Sequence, residues 1–226
     1  MLRANLRGNN VTYLIHGARG SGSGIIEAAC AELHVDYAVR DLDVRAGKNH
    51  DAAYRRLHPL GKLPALEFPD GEIVTDTVAI LLTLEERHPQ RALLPPCGSK
   101  ARTRALRWLL FCATELYPLV EMIDFPERFS DAEACQAMLR KRASAMWNER
   151  WLHVESAVAG SPYLMSEGFC VTDVYIAVLS NWDMDPDWRQ KNLPRVKALS
   201  DAVRNRPALV PVFERHKPGA DVPGEA

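Results

Sequence analysis

The sequence predicts an α/β unit followed by an all-α unit. Three observations carry that reading. Residues 11–88 alternate short β-branched or aromatic runs with stretches of helical spacing; no strand signal follows Pro95 and Pro96; and the join, HPQRALLPPCGSK, has the proline, glycine and serine content of a linker. The expected division is a polar extension over residues 1–10, a mixed-sheet unit over 11–88, a linker over 89–99, a helical unit over 100–216 and a flexible tail over 217–226.

VTYLIHGA is β-branched and aromatic and ends at glycines, as a buried strand does. SGIIEAACAELH follows, with Ile25, Ala28, Ala29 and Leu33 spaced for one helical face, and DYAVRDLDV then alternates like a second strand. The spacing is that of a βαβ unit with parallel strands. A weaker helix is expected over residues 47–57. LPALEFPDGEIVT gives two strands joined by Pro69-Asp70-Gly71, whose turn chemistry makes the pair antiparallel, and DTVAILLTLEERH closes the unit as a helix ended by Pro89. In the second unit helices are expected over residues 100–124, kinked at Pro118, over 131–159, over 171–181, and over 194–216 with a break at Pro207. The stretch SNWDMDPDWRQ, residues 180–190, sets two tryptophans among three aspartates and has no assigned element; it roofs a cleft or packs the end of the unit.

Among 226 residues, 47% are apolar and 25% charged, which supplies a buried core and argues against disorder. Lysine and arginine (28) nearly cancel aspartate and glutamate (29), so no net field selects nucleic acid or an anionic membrane as partner. Five scattered cysteines with no C-x-x-C pair fit a reducing compartment. With no signal-peptide run or membrane span in the sequence, the expected location is cytoplasmic. No metal-ligand pattern stands out, and none is expected.

Two stretches carry candidate chemistry. GARGSGSG, residues 17–24, lies between a strand and a helix, where glycine-rich loops cradle phosphate. It has no lysine followed by serine or threonine, and G-x-G-x-x-G counted from Gly20 or from Gly22 does not end on glycine. A second use is open to it: Ser21 or Ser23, with the N–H groups and positive end of the helix, stabilises an anion such as a thiolate. Alternatively, one serine simply caps the helix. In KLPALEFPDGEIVTDTVAI, Pro64 stands at the mouth of a strand although proline brings no N–H to a sheet. A cis Leu63-Pro64 bond turns the Leu63 peptide groups outward to hold an extended peptide-like ligand. Thr77 opens a helix, where its N–H and hydroxyl suit a carboxylate, and Asp76 beside it suits an ammonium. Capping of that helix by Thr75, Asp76 or Thr77 is the plainer alternative.

With these residues in place, the chain resembles the glutathione transferases. LHPLGKLPALEFPDGEIVTDTVAILLTLEERHP is similar to the family pattern in which N-P-x-G-x-V-P-x-L leads to a Glu/Gln-Ser pair, and GSPYLMSEGFCVTDVYIAVL and LPRVKALSDAVRNRPALVPVFERH resemble its helical unit; the likeness spans residues 11–216. It implies a thioredoxin-like N-terminal domain, βαβ-α-ββα, followed by a helical bundle. It also implies that Leu63 binds the cysteinyl backbone of glutathione, that Pro64 is the cis-proline, and that Asp76 and Thr77 hold the γ-glutamyl head; Lys48 and His50 are placed to meet the glycyl carboxylate. Gly22 stands where beta-class members and thiol-exchanging classes carry cysteine, so the resemblance is to a cytosolic, bacterial-type enzyme, serine-type or atypically beta-like, with Ser21 or Ser23 activating the thiol of glutathione.

The implied reaction is conjugation of glutathione to a small hydrophobic electrophile, as in detoxification, by a protein whose relatives form homodimers. Its acceptor is expected against Trp108, Phe111, Cys112 and Glu115, which share a helical face; packing between the two units is the alternative use of the two aromatics. The other functional readings are a non-catalytic glutathione- or ligand-binding or protein-interaction module, and a glutathione-dependent isomerase or dehalogenase. One structural departure is expected at Cys170-Val171-Thr172-Asp173, where a thiol, a weak acceptor, half loses the capping box of a short helix.

Overall fold

The structure, a computed structural model, describes residues 12–182 and 185–217. The extension expected over residues 1–10, and all but Lys217 of the expected tail, lie outside the described residues. β1 (Tyr13–Gly17) pairs in parallel with β2 (Tyr37–Asp41), and α1 (Ser23–Leu33) is the crossover between them. β3 (Ala65–Glu67) runs antiparallel to β1, and β4 (Ile73–Thr75) antiparallel to β3, giving the order β2-β1-β3-β4. Gly71, with φ of 89°, makes the turn between β3 and β4 that Pro69-Asp70-Gly71 predicts. The helix expected over residues 47–57 is reduced to a 3₁₀ turn, Lys48–His50, and one helical turn, α2 (Ala52–Arg55). Asp51 between them is extended, at φ −62° and ψ 146°, and so interrupts the helix. α3 (Thr77–Arg87) completes this half.

The helical half begins with α4 (Lys100–Phe111), passes through a π-helical turn (Cys112–Leu116) and continues as α5 (Tyr117–Asp124). The distortion falls where Pro118 predicts it: without an N–H, Pro118 leaves the Thr114 carbonyl no α-helical partner, and the backbone widens just ahead of it. α6 (Glu133–Ala157), α7 (Val171–Leu179), α8 (Pro186–Asn192), α9 (Pro194–Arg204) and α10 (Val210–Arg215) follow. Pro207 lies in the gap between α9 and α10, as expected. α8 is an element that periodicity did not predict; its start is built from Pro186 and from Asp185, whose side chain accepts from the Trp188 N–H at 3.0 Å.

All nine residues of α7 are buried, and so is every residue of α1 from Ser23 to Cys30. The sequence marks one apolar face on α1, yet the helix is enclosed on all sides, between the sheet and α7 with α10. Full burial of a leucine or isoleucine contributes roughly 1.5–3 kcal/mol, and Ile25, Ile26, Leu66, Ile80 and Leu81 share one continuous core with Leu109, Leu116, Ile176 and Leu199. Bidentate pairs add polar ties across the halves. Arg102 reaches Glu85 at 2.8 and 2.6 Å, and Arg206 reaches Glu32 at 2.7 and 2.8 Å. Enclosure of α1 also buries an acid, Glu27, whose partners shape the site.

Candidate active site

The first loop runs from the end of β1 to the start of α1. Its glycines make room for side chains rather than for phosphate. A Cβ on Gly17 would lie 2.3 Å from the Ser23 Cβ, one on Gly22 2.6 Å from the Tyr117 hydroxyl, and one on Gly24 3.2 Å from the His216 ring. Gly20 turns the loop at φ 70°, a region that side chains disfavour.

The two serines differ in access. Ser23 is fully buried, and its hydroxyl lies 3.2 Å from both the Ala18 carbonyl and the Glu27 carboxylate. The Ser23 hydroxyl is thus turned inward on both sides. Ser21 is half-buried; its hydroxyl donates to the Ala18 carbonyl at 2.7 Å and accepts from the Ser23 N–H at 3.2 Å, so it closes the loop over the first N–H of α1.

Leu63-Pro64 is cis, and the first β3 pair is Ala65 with Thr75, so Leu63 precedes the sheet ladder. Asp76 holds φ 67° and ψ 115°, a left-handed conformation unusual for a side chain, which costs roughly 1–3 kcal/mol. It is exposed, and no described side chain caps α3, so the plain capping reading fails here. Thr77 is buried, and its side chain hydrogen-bonds the hydroxyl of Tyr175, which takes up the group expected to meet a carboxylate. His58 is buried near Asp76 and Lys62; burial first, then Lys62, push its pKa down against the pull of Asp76.

Lys48 and His50 are occupied nearby: the Lys48 ammonium pairs with Asp51 at 3.2 Å, and His50 lies 3.5 Å from the Arg55 guanidinium. Of the four residues expected to line the acceptor cleft, Phe111 and Glu115 border one surface recess, with Leu106 and Leu110. Cys112 is fully buried near Asp173 and Tyr175, and burial pushes its thiol pKa up. Trp108 and Phe111 pack on His153 of α6, with ring centroids 5.3 Å away in each case, and Glu115 pairs with Arg150 at 3.1 Å. The register of α4 brings Trp108 and Phe111 against His153 of α6; past the π-helical turn, Tyr117 is the residue that reaches the loop. Its ring meets Trp182 edge-on at 5.3 Å. Burial pushes its phenol up to about 12, against the pull of a hydrogen bond with the Gly22 backbone, so it is a neutral hydroxyl at ordinary pH.

Three residues at this loop were missed from sequence: Tyr117, Glu27 and His216. Glu27 carried a signal, an acid amid the apolar run IIEAAC, since a buried carboxylate requires partners. Those partners come from the chain's far end. His216 Nε2 lies 2.9 Å from Glu27 Oε1, Arg215 Nε 2.9 Å from Oε2, and the Gly20 N–H donates to His216 Nδ1 at 3.0 Å. Burial alone raises the Glu27 carboxyl, but His216 and Arg215 outweigh it and hold the group below its usual range.

The family model described as glutathione S-transferase, N-terminal domain, matches residues 25–87. An uncharacterized GST-like protein of Escherichia coli (strain K12), YncG, is 29% identical over 207 residues, covering 90% of this chain and 98% of that protein. Glutathione S-transferase GstA of Escherichia coli O157:H7 is 28% identical over 160 residues, 69% of this chain and 74% of the relative. A solved glutathione transferase homologue from Sulfitobacter, with bound glutathione, has a TM-score of 0.83 at 20% identity, over 91% of this chain and 98% of that one. The chain has the fold of the glutathione transferases, a thioredoxin-like N-terminal domain followed by a helical C-terminal domain. The family match begins at Ile25, just past the first loop, so the chemistry of that loop rests on its own geometry.

Proposed function

We propose that this protein is a glutathione transferase that joins the thiolate of reduced glutathione to an electrophilic carbon of a small hydrophobic compound. The observation that carries the reading is Asp76: a strained, outward-turned carboxylate at the start of a helix that no described side chain caps. Strain of this kind is kept where a ligand uses it. Asp76 takes the ammonium of the γ-glutamyl head, the Thr77 N–H takes its carboxylate, and the Leu63 peptide group pairs with the cysteinyl backbone as an added strand. Residues 11–88 form the glutathione-binding unit, residues 89–99 the linker and residues 100–216 the unit that supplies the acceptor side.

Ser21, the N-terminal end of α1 and the neutral Tyr117 hydroxyl surround the place of the sulfur. Together they favour thiolate over thiol by hydrogen bonding and by the positive end of the helix. The thiol proton passes to solvent, the sulfur lone pair forms the new carbon–sulfur bond, and the leaving group departs with its electron pair. No cysteine stands in the loop to form a mixed disulfide. A two-fold homodimer is part of the proposal, supported by the apolar outer face of α4, where Leu110 is 54% exposed beside Leu106 and Phe111.

The test is retention on immobilised glutathione, then ultraviolet titration of the bound thiol and turnover with an aryl halide. Binding with a lowered thiol pKa and measurable turnover supports the transferase. Binding with an ordinary thiol pKa reduces the protein to a carrier, and absence of binding overturns the reading. Ser21→Ala is expected to lower turnover about 100-fold while retention persists.

A further inference from the structure

We propose that Glu27 and His216 are positioning residues for the first loop, a latch through which the far end of the chain holds the thiol-binding geometry. The inference rests on the transferase reading for its consequence, but the latch itself is written in contacts.

His216 sits just past α10, and its side chain is 8% exposed. Its two ring nitrogens have different partners. Nδ1 accepts the Gly20 N–H at 3.0 Å, so the ring proton resides on Nε2, which donates to Glu27 Oε1 at 2.9 Å. Glu27 in turn is the acid that α1 carries one turn below Ser23, 3.2 Å from its hydroxyl. The chain of contacts runs Gly20, His216, Glu27, Ser23, and Ser23 lies 3.1 Å from the Ser21 hydroxyl. Both ends of the loop, Gly20 and Ser23, are therefore fixed by one imidazole and one carboxylate, with Ser21 and Gly22 between them. Arg215 anchors the carboxylate from its other oxygen and reaches Asp41 at 2.5 Å, tying the latch to β2 as well.

The sequence requirements agree. A Cβ on Gly24 would lie 3.2 Å from the His216 ring, so glycine there lets the imidazole close on α1. The left-handed turn of Gly20, at φ 70°, has open space around it and is closed from within by the Ser21 N–H on the Ala18 carbonyl at 3.1 Å, while His216 holds the Gly20 N–H from outside. Neither Glu27 nor His216 faces the place of the sulfur directly. They act through the backbone, and a loop displaced by about 1 Å can cost a factor on the order of 100 in rate.

The experiment uses the full chain with His216→Phe and His216→Gln. Phenylalanine keeps the ring and removes both contacts; glutamine keeps one acceptor and one donor for Gly20 and Glu27. His216→Phe is expected to lower kcat at saturating glutathione about 10- to 100-fold and to raise the bound thiol's pKa, with KM for glutathione nearly unchanged. His216→Gln is expected to restore most of kcat. If kcat and thermal midpoint fall together and glutamine restores neither, the role is only structural and the proposal is overturned; unchanged kcat in a folded His216→Phe overturns it too. Amide exchange at Gly20 separates this from failure of the transferase reading, because it needs no activity. Faster exchange in His216→Phe supports the latch even if the wild type proves inactive, and unchanged exchange refutes it.

Discussion

At the start of α7, Asp173 is fully buried, and its two oxygens accept from the Leu164 and Cys170 N–H groups at 2.8 Å each. At the start of α3, Asp76 is exposed, strained at φ 67°, and accepts from no helix-start N–H. The first arrangement is self-sufficient: helix, carboxylate and preceding loop satisfy one another, and nothing remains to offer a ligand. The second leaves an exposed carboxylate beside helix-start N–H groups that it does not cap, opposite charges side by side. Local completeness marks a structural helix start and local incompleteness a binding one.

The largest effect that tests this contrast is on stability. Asp173→Ala leaves two buried N–H groups without partners, each worth roughly 1–3 kcal/mol, so unfolding in urea is expected to show a loss of about 2–6 kcal/mol. Asp76→Ala is expected to cost far less; equal losses would break the comparison. The converse holds for the ligand. Asp76→Gly removes the backbone strain and is expected to gain up to about 1 kcal/mol in stability. In calorimetry it is expected to bind glutathione about 10- to 100-fold more weakly, since a hydrogen bond to a charged group contributes roughly 1.5–3 kcal/mol. A variant that binds as well as the wild type would remove Asp76 from the site.

Much of this contrast was legible in sequence, and the missing parts have physical causes. The order of elements, the antiparallel pair around Gly71 and the break at Pro207 follow from local chemistry, so periodicity and turn residues reveal them. The placement of Pro64, Asp76 and Thr77 follows likewise, because they sit at element ends. What failed was long-range. Ser21 and Ser23 look equivalent in GSGSG, and only the enclosure of α1 by α7 and α10 separates them. Trp108 and Phe111 share a helical face, but which neighbour that face meets is decided by the packing of α6. His216 meets Glu27 across 189 residues, a pairing no local pattern encodes.

Two buried carboxylates sharpen the contrast further because they respond to acid with opposite signs. Burial pushes Asp173 up to about 6, beyond what its backbone N–H bonds offset, whereas His216 and Arg215 hold Glu27 below its ordinary value. A lowered folded pKa means stability that is present above the ordinary carboxylate value, about 4.3 for glutamate, and lost as pH falls through the folded value. A raised one means a contribution that is full at low pH and declines as pH rises toward about 6. Glu27→Gln is therefore expected to be less stable than the wild type by about 1–2 kcal/mol at neutral pH, with the difference closing below about pH 4. Urea midpoints measured from pH 3 to 7 on both proteins check the sign; a difference that widens in acid would reverse the assignment.

The smallest expected effect concerns Cys170, where the sequence argues for a half-lost capping box. The structure corrects that: the thiol does accept from the Asp173 N–H, and the reciprocal bond to the Cys170 N–H is present. The sulfur nevertheless carries little of the helix start. The Asp173 N–H also donates to the Cys170 carbonyl at 2.9 Å, so weakening the sulfur contact leaves no buried donor without a partner. Cys170→Ser, which supplies a stronger acceptor on a slightly smaller side chain, is expected to change stability by less than about 1 kcal/mol in either direction. A loss as large as that of Asp173→Ala in the same urea titration would mean that the thiol, rather than the carboxylate, closes the start of α7. Local completeness there would then rest on a contact that chemistry ranks as weak.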